Sequence, residues 1–264
     1  MTRVIAVTNQ KGGVGKTTTC VNLAASLVAI KRRVLLVDMD PQGNATMGSG
    51  VDKNALELSG YDLLTKRATA GEVVVKTDPA GFDLLPGNGD LTAAEVELMN
   101  EIGREHRLRL ALSEVRDNYD YILIDCPPSL NLLTVNSLSA ADSVLIPMQC
   151  EYYALEGLAA LMNTVEQIKE TVNPQLEMEG ILRTMYDPRN SLTLDVSGQL
   201  QEYFGDKVYR AVIPRNVRLA EAPSYGMPAL NYDKASKGAI AYLAMAGEMV
   251  RRHGTKKTSS AVAV

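Results

Sequence analysis

The sequence predicts an α/β fold: a doubly wound, mostly parallel sheet with helices on both faces. Seven short runs rich in β-branched and aliphatic residues recur along the chain, nearly continuous in apolar character, as strands buried on both faces are. Stretches with helical apolar spacing lie between them. No linker rich in Gly, Ser or Pro and no internal repeat divides the 264 residues, so one domain with a substantial core fits the chain.

The elements follow in order. A first strand over Val4–Thr8 runs through a glycine-rich loop into a helix over Thr17–Ala29. The run VLLVD makes a second strand over Val34–Asp38, and Phe82–Pro86 a third. A helix is predicted over Ala93–Val115, then strands over Tyr121–Asp125 and Val144–Met148. Leu155–Thr171 reads as a helix, Gly180–Met185 as a strand, Leu192–Phe204 as a helix and Val208–Ile213 as a strand. A last helix covers about Ser236–Arg252, closing a single domain over residues 1–252. The remainder, 253–264, ends in TKKTSSAVAV and is expected to be a disordered tail.

Composition narrows the function. With 46% apolar and 22% charged residues, the chain has the make-up of an ordinary soluble globular protein. No apolar run approaches the roughly 18 residues that span a bilayer. The first strand starts so near Met1 that no signal peptide fits before it, which predicts a cytoplasmic protein. Cys20, Cys126 and Cys150 are odd in number and form no CxxC pair, as expected of reduced thiols. His106 and His253 have no second ligand at metal spacing, so no zinc site is expected. The net charge of −4 argues against a generally basic nucleic-acid binder. Its distribution is uneven: from Arg183 onward there are 12 Lys/Arg against 7 Asp/Glu, a net of +5, while residues 1–182 hold 15 and 24, a net of −9. An anionic partner for the basic part and a merely solvated surface both fit that asymmetry.

The loop after the first strand, VTNQKGGVGKTTTCVNL, carries the chemistry. The second half of the phosphate-loop pattern G-x-x-x-x-G-K-[ST] is present as Gly15, Lys16 and Thr17. Where its first glycine belongs stands Gln10, followed by a second lysine, Lys11. Backbone N–H groups from Gly12, Gly13, Val14 and Gly15, together with the helix N-terminus, favour an anion. Lys16 then suits the β- and γ-phosphates of a nucleotide, and the Thr17 hydroxyl suits Mg²⁺. Two further stretches place acids at strand ends: VLLVDMDPQGN supplies Asp38 and Asp40, and YDYILIDCPPS supplies Asp125. A strand ending in Asp is often only a helix cap. Beside a phosphate loop, one such acid can hold the magnesium hydration shell while another orients the attacking water.

The motifs KGGVGKTTT, DMDPQGNAT, DYILIDCPPSLNLLTVNSL and IPRNVRLAEAPSYG resemble those of the ParA/Soj chromosome-partitioning ATPases. These are phosphate-loop NTPases of the deviant Walker A type, related to the cell-division ATPase MinD. The resemblance runs from about Thr2 to Arg252, and the last two motifs are the more specific to the partitioning branch. It implies an Mg²⁺-dependent ATPase, converting ATP to ADP and phosphate. It also implies that Lys11 crosses a dimer interface to the phosphates held by a partner subunit, as an arginine finger would. Lys11 to Thr18 would bind phosphates, with Thr17 on Mg²⁺. Asp40 would position the hydrolytic water, Asp125 would hold a water of the magnesium shell, and Asp38 would lie one layer further out. Pro214 and Asn216, in the IPRN turn, would line the adenine pocket. Slow basal turnover is expected, because no strong general base is visible.

The partners implied are a second copy of the chain, joined through ATP, nonspecific double-stranded DNA, and a ParB/Spo0J-type protein that stimulates hydrolysis. This places the protein on the nucleoid. The family's DNA-contacting positions correspond to Arg189 and Arg218, whereas Arg215, Lys237 and the Arg251–Arg252 pair fit a solvated face equally well. Two alternatives use the same motif. A MinD-like positioning ATPase ends in an amphipathic helix with bulky apolar residues, but RRHGTKKTSSAVAV has no Phe, Trp or Leu, so no membrane partner is expected. An iron–sulfur reductase like nitrogenase iron protein needs two cysteines per subunit in cluster loops, and no cysteine here has such a context.

Overall fold

The computed structural model describes residues 2–259. Eight strands form one sheet: β1 (Arg3–Val7), β2 (Val34–Asp38), β3 (Val75–Lys76), β4 (Asp83–Leu85), β5 (Tyr121–Asp125), β6 (Ser143–Gln149), β7 (Glu177–Tyr186) and β8 (Val208–Pro214). Their order is β3-β4-β2-β5-β1-β6-β7-β8. All neighbours pair in parallel except β3 with β4. Helix α1 (Lys16–Ala29) follows β1, and α2 (Asn44–Gly48), α3 (Gly60–Leu64) and α4 (Ala70–Val73) follow β2. Between β4 and β5 lie α5 (Leu91–Glu97) and α6 (Arg107–Ser113). Helices α7 (Leu132–Ala140), α8 (Ala154–Thr171) and α9 (Ser191–Phe204) follow β5, β6 and β7 in turn. After β8 come α10 (Val217–Glu221), α11 (Ala229–Tyr232) and α12 (Lys237–Ser259).

Alternation along the strands divides the core into two layers, as the doubly wound reading requires. Val4, Ala6, Leu35, Val37, Ile122 and Ile124 pack with α3 to α9 on one face. Ile5, Val7, Leu36 and Leu123 pack with α1, α11 and α12 on the other. The last helix also closes the outer edge of the sheet. The Glu248 carboxylate accepts from the backbone N–H groups of Arg210 and Ala211, each at 2.9 Å, so edge-strand donors that would otherwise face solvent are bonded within the molecule.

Four details depart from the sequence reading. The helix expected over Ala93–Val115 is broken, because Gly103 adopts a left-handed φ of 68° that no α-helix passes through. Helix α7 was not foreseen; Asn131 caps it by accepting the Thr134 N–H at 3.1 Å. Strand β3 has two residues, too few to show a period. Helix α12 continues past Arg252 to Ser259, through part of the stretch expected to be a tail. The rest of that tail, 260–264, lies outside the described residues.

Candidate functional site

Strands β1, β2 and β5 end side by side, with Val7 and Asp38 both in register with Asp125. The loop leaving β1 therefore meets the acids that finish β2 and β5 at the carboxyl edge of the sheet, where ligands of such folds bind. Gly13 and Gly15 take φ of 73° and 87°, so the loop turns sharply and Gly15 delivers the chain to the N-terminus of α1. The Thr184 hydroxyl donates to the Val14 carbonyl at 2.8 Å and ties the loop to β7. Asn9 braces it from the other side, donating to the Pro147 carbonyl at 2.8 Å and accepting the Lys11 N–H at 3.0 Å.

The two lysines of the loop face different surroundings. Lys16 is 8% exposed, and its Nζ donates to the Lys11 carbonyl at 3.3 Å. Burial pushes its pKa down, opposed by the nearby charges of Asp125 and Asp40. Lys11 instead turns outward to Glu151, with its side chain 48% exposed. The unusual Gln10 reaches α8, where its amide donates to the Thr164 hydroxyl at 3.2 Å.

Three acids converge below the loop. Asp38 and Asp125 are fully buried neighbours, and Asp40 is 8% exposed. Burial raises the Asp38 and Asp125 carboxyls above the usual range, helped by the charge of Asp40 at Asp38 and of Asp38 at Asp125. Asp38 is the better satisfied, accepting from Asp40 N at 3.2 Å, Thr46 N at 2.8 Å and the Thr46 hydroxyl at 2.7 Å. Asp125 accepts from the Thr17 side chain and the Cys20 thiol, yet its Oδ2 is buried with no partner among the described residues. The Asp40 carboxylate accepts the Gln42 N–H at 3.0 Å, which closes the turn after β2.

On the other side of Gly15 opens a cavity of about 390 Å³, lined by Thr18, Pro214, Asn216 and Tyr242 among others. Asn216 Oδ1 is buried there without a hydrogen-bond partner among the described residues, a cost normally relieved by a ligand or water. Thr184, Met185, Ile213 and Leu219 also line this cavity, and sequence reasoning missed them. They come from β7, β8 and α10, and no local pattern marks them as facing α1.

Arg189 and Arg218 are not part of this cluster. Arg189, in the turn before α9, has its side chain 89% exposed and grips Asp187 at 2.9 and 2.8 Å. The arginine holds the Asp187 carboxyl down at about 2. Arg218, in α10, pairs with Glu221 at 2.6 Å and Asp233 at 3.3 Å. Both are exposed pairs screened by solvent, so their carboxylates can be exchanged for another anion at little expense. All three cysteines are buried free thiols. No helix among the described residues is long and apolar enough to cross a membrane.

Comparisons with known proteins match most of the chain. A family model described as an AAA domain matches residues 2–178. The sporulation initiation inhibitor protein Soj of Bacillus subtilis is 54% identical over 249 residues, covering 94% of this chain and 98% of that protein. The chromosome partitioning protein ParA of Caulobacter vibrioides is 50% identical over 261 residues, covering 98% of each. Among solved structures, one titled cobyrinic acid a,c-diamide synthase from Mycobacterium smegmatis, with bound ATP analog and magnesium, has a TM-score of 0.85. It is 39% identical and is matched over 97% of both chains.

Proposed function

This chain belongs to the ParA/Soj family of chromosome-partitioning ATPases, and from that premise we propose that its ATP-bound form is a sandwich dimer that binds DNA without sequence preference and releases it on hydrolysis. The observation that carries this reading is the opposite orientation of the two loop lysines. Lys16 is buried toward the acids, while Lys11 reaches outward and, among the described residues, its side chain is held by an exposed pair with Glu151. Such a pair is worth about 0–1 kcal/mol, so Lys11 can leave Glu151 for the phosphates of a second subunit. Two facing nucleotides concentrate negative charge, and a lysine supplied by each subunit offsets it. Loss of the γ-phosphate removes part of that attraction and loosens the dimer.

Within one subunit, residues 11–18 cradle the phosphates through the loop N–H groups, Lys16 and the start of α1. The base occupies the 390 Å³ cavity, with the Pro214 ring on one side and Asn216 Oδ1 free to accept from an exocyclic amine. The donor set fits magnesium. Among the described residues no cluster of three His, Cys, Asp or Glu forms a protein-only metal cage, and Mg²⁺ commonly takes few protein ligands, completing its shell with phosphates and water. Thr17 would hold it directly, and the unpartnered Oδ2 of Asp125 would accept from one of its waters. Bound there, Mg²⁺ would offset the charge that the phosphates carry and develop during hydrolysis. Asp40, close enough to affect Lys16 and Asp125 electrostatically, orients the attacking water. A ParB/Spo0J-type partner then raises the slow basal rate.

DNA is met by Arg189 and Arg218, each trading its carboxylate for a backbone phosphate. One monomer offers few such charges, so affinity stays low until ATP joins two copies into one footprint. In gel retardation with ATP, the parent protein is expected to bind DNA of any sequence, weakening steeply as salt rises because each neutralised phosphate releases counterions. Replacing Arg189 and Arg218 together by Glu should abolish retardation while light scattering still finds the ATP dimer. A double variant that retards DNA like the parent would place the contact elsewhere. A parent ATP dimer that binds no DNA at low salt would contradict the partition reading itself.

A further inference from the structure

We propose that Thr46 is a positioning residue for hydrolysis, fixing the segment that carries Asp40 by joining Asp38 to the backbone of Gly87 through one hydroxyl. Thr46 lies in α2 and is fully buried. Its hydroxyl donates to Asp38 Oδ2 at 2.7 Å and accepts the Gly87 N–H at 3.0 Å. Its own N–H donates to the same carboxylate oxygen at 2.8 Å. The other oxygen of Asp38 takes the Asp40 N–H at 3.2 Å. One buried carboxylate thus holds both ends of the 40–46 segment, with Asp40 at its start.

Gly87 locks the arrangement from outside. A Cβ at Gly87 would lie 2.4 Å from the Asp38 carbonyl oxygen, and a Cβ at Gly43 would lie 2.7 Å from the Gly87 carbonyl oxygen. The chain at Gly87 therefore packs backbone to backbone against the end of β2 and against the turn after Asp40. This contact gives the PGNGD stretch after β4 a physical reason for its first glycine. The Thr46 hydroxyl is the side-chain group that links the two walls. Removing it leaves a buried Gly87 N–H without that acceptor and withdraws one of the two Thr46 donors from Asp38 Oδ2. The Asp40 segment then loses its fixed position, and displacements of an ångström near a reacting centre are worth about a hundred-fold in rate.

The inference rests on the assignment of Asp40 as the residue that orients water. Its test compares Thr46→Val, Thr46→Ala and Thr46→Ser with the parent, measuring single-turnover ATP hydrolysis and the affinity for a fluorescent ATP analogue. Val and Ala each remove the hydroxyl, the first at nearly constant volume, the second without a methyl against the carboxylate. The hydrolysis rate of whichever folds is expected to fall about ten- to a hundred-fold, with nucleotide affinity changed by no more than about two-fold. Thr46→Ser keeps the hydroxyl and should recover the parental rate to within about three-fold, an outcome that a purely volume-filling role for Thr46 would not produce. A parental rate in the hydroxyl-free protein overturns the proposal, and so does a Ser variant as slow as the Val variant. Asp40→Ala, measured in parallel, separates the two assignments. If Asp40→Ala hydrolyses ATP at the parental rate, the role of Asp40 fails. If Asp40→Ala is inactive beside an unaffected Thr46→Val, only the role of Thr46 fails.

Discussion

Replacing Lys16 by Ala is expected to abolish nucleotide binding at micromolar concentrations. Lys16 is the buried cation of the site, facing the charges of Asp125 and Asp40, and burial already lowers its pKa. Its side chain is largely buried, so phosphate oxygens that pair with it meet reduced competition from water. Truncating one partner of such a buried charge pair is worth roughly 3–5 kcal/mol, on the order of a hundred- to several thousand-fold in affinity. The loss also leaves three acids facing an incoming triphosphate with no buried lysine to offset them. Titration calorimetry with ATP and Mg²⁺ checks this. An affinity within ten-fold of the parent, about 1.4 kcal/mol, would show that the backbone N–H groups and the helix N-terminus hold the phosphates without Lys16.

Asp40→Ala is expected to slow hydrolysis by roughly two to four orders of magnitude, the range that a positioned acid or base contributes, while nucleotide still binds. Asp40 sits 8% exposed in the turn after β2, and its carboxylate accepts only the Gln42 N–H among the contacts described. It keeps acceptor capacity for a water molecule, whereas Asp38 is committed to three donors. The Lys11 and Lys16 contacts do not pass through Asp40, so the variant should accumulate as an ATP dimer. A phosphate-release assay at the parental rate would remove Asp40 from the role and leave Asp125 as the stronger candidate.

The layered fold and the phosphate loop were legible because their signals are local. Continuous runs such as VLLVD and YILID mark buried strands, and Gly15-Lys16-Thr17 between a strand and a helix is local in sequence and in space. The acids were legible as well, because a strand that ends in Asp shows its position in its own last residue. What escaped the sequence is carried by pairs distant along the chain. Gly87 and Thr46 are separated by two helices and two strands and meet because β4 lies beside β2. The cavity walls from Thr184, Met185 and Ile213 depend on β7 and β8 lying beyond β6 on the same side of the sheet. The break between α5 and α6 was missed for another reason: apolar spacing continues through the segment, while the backbone leaves the helix through an extended Glu101 and a left-handed Gly103.

The most direct measurement is the ATP-dependent oligomeric state of Lys11→Ala, followed by light scattering beside the parent. The exposed position of Lys11 and its replaceable pairing with Glu151 predict a specific result. The parent should double in mass with ATP but not with ADP, and Lys11→Ala should bind nucleotide yet remain a monomer with either. An ATP dimer of Lys11→Ala, as stable as that of the parent, would contradict the contact between subunits on which the account depends.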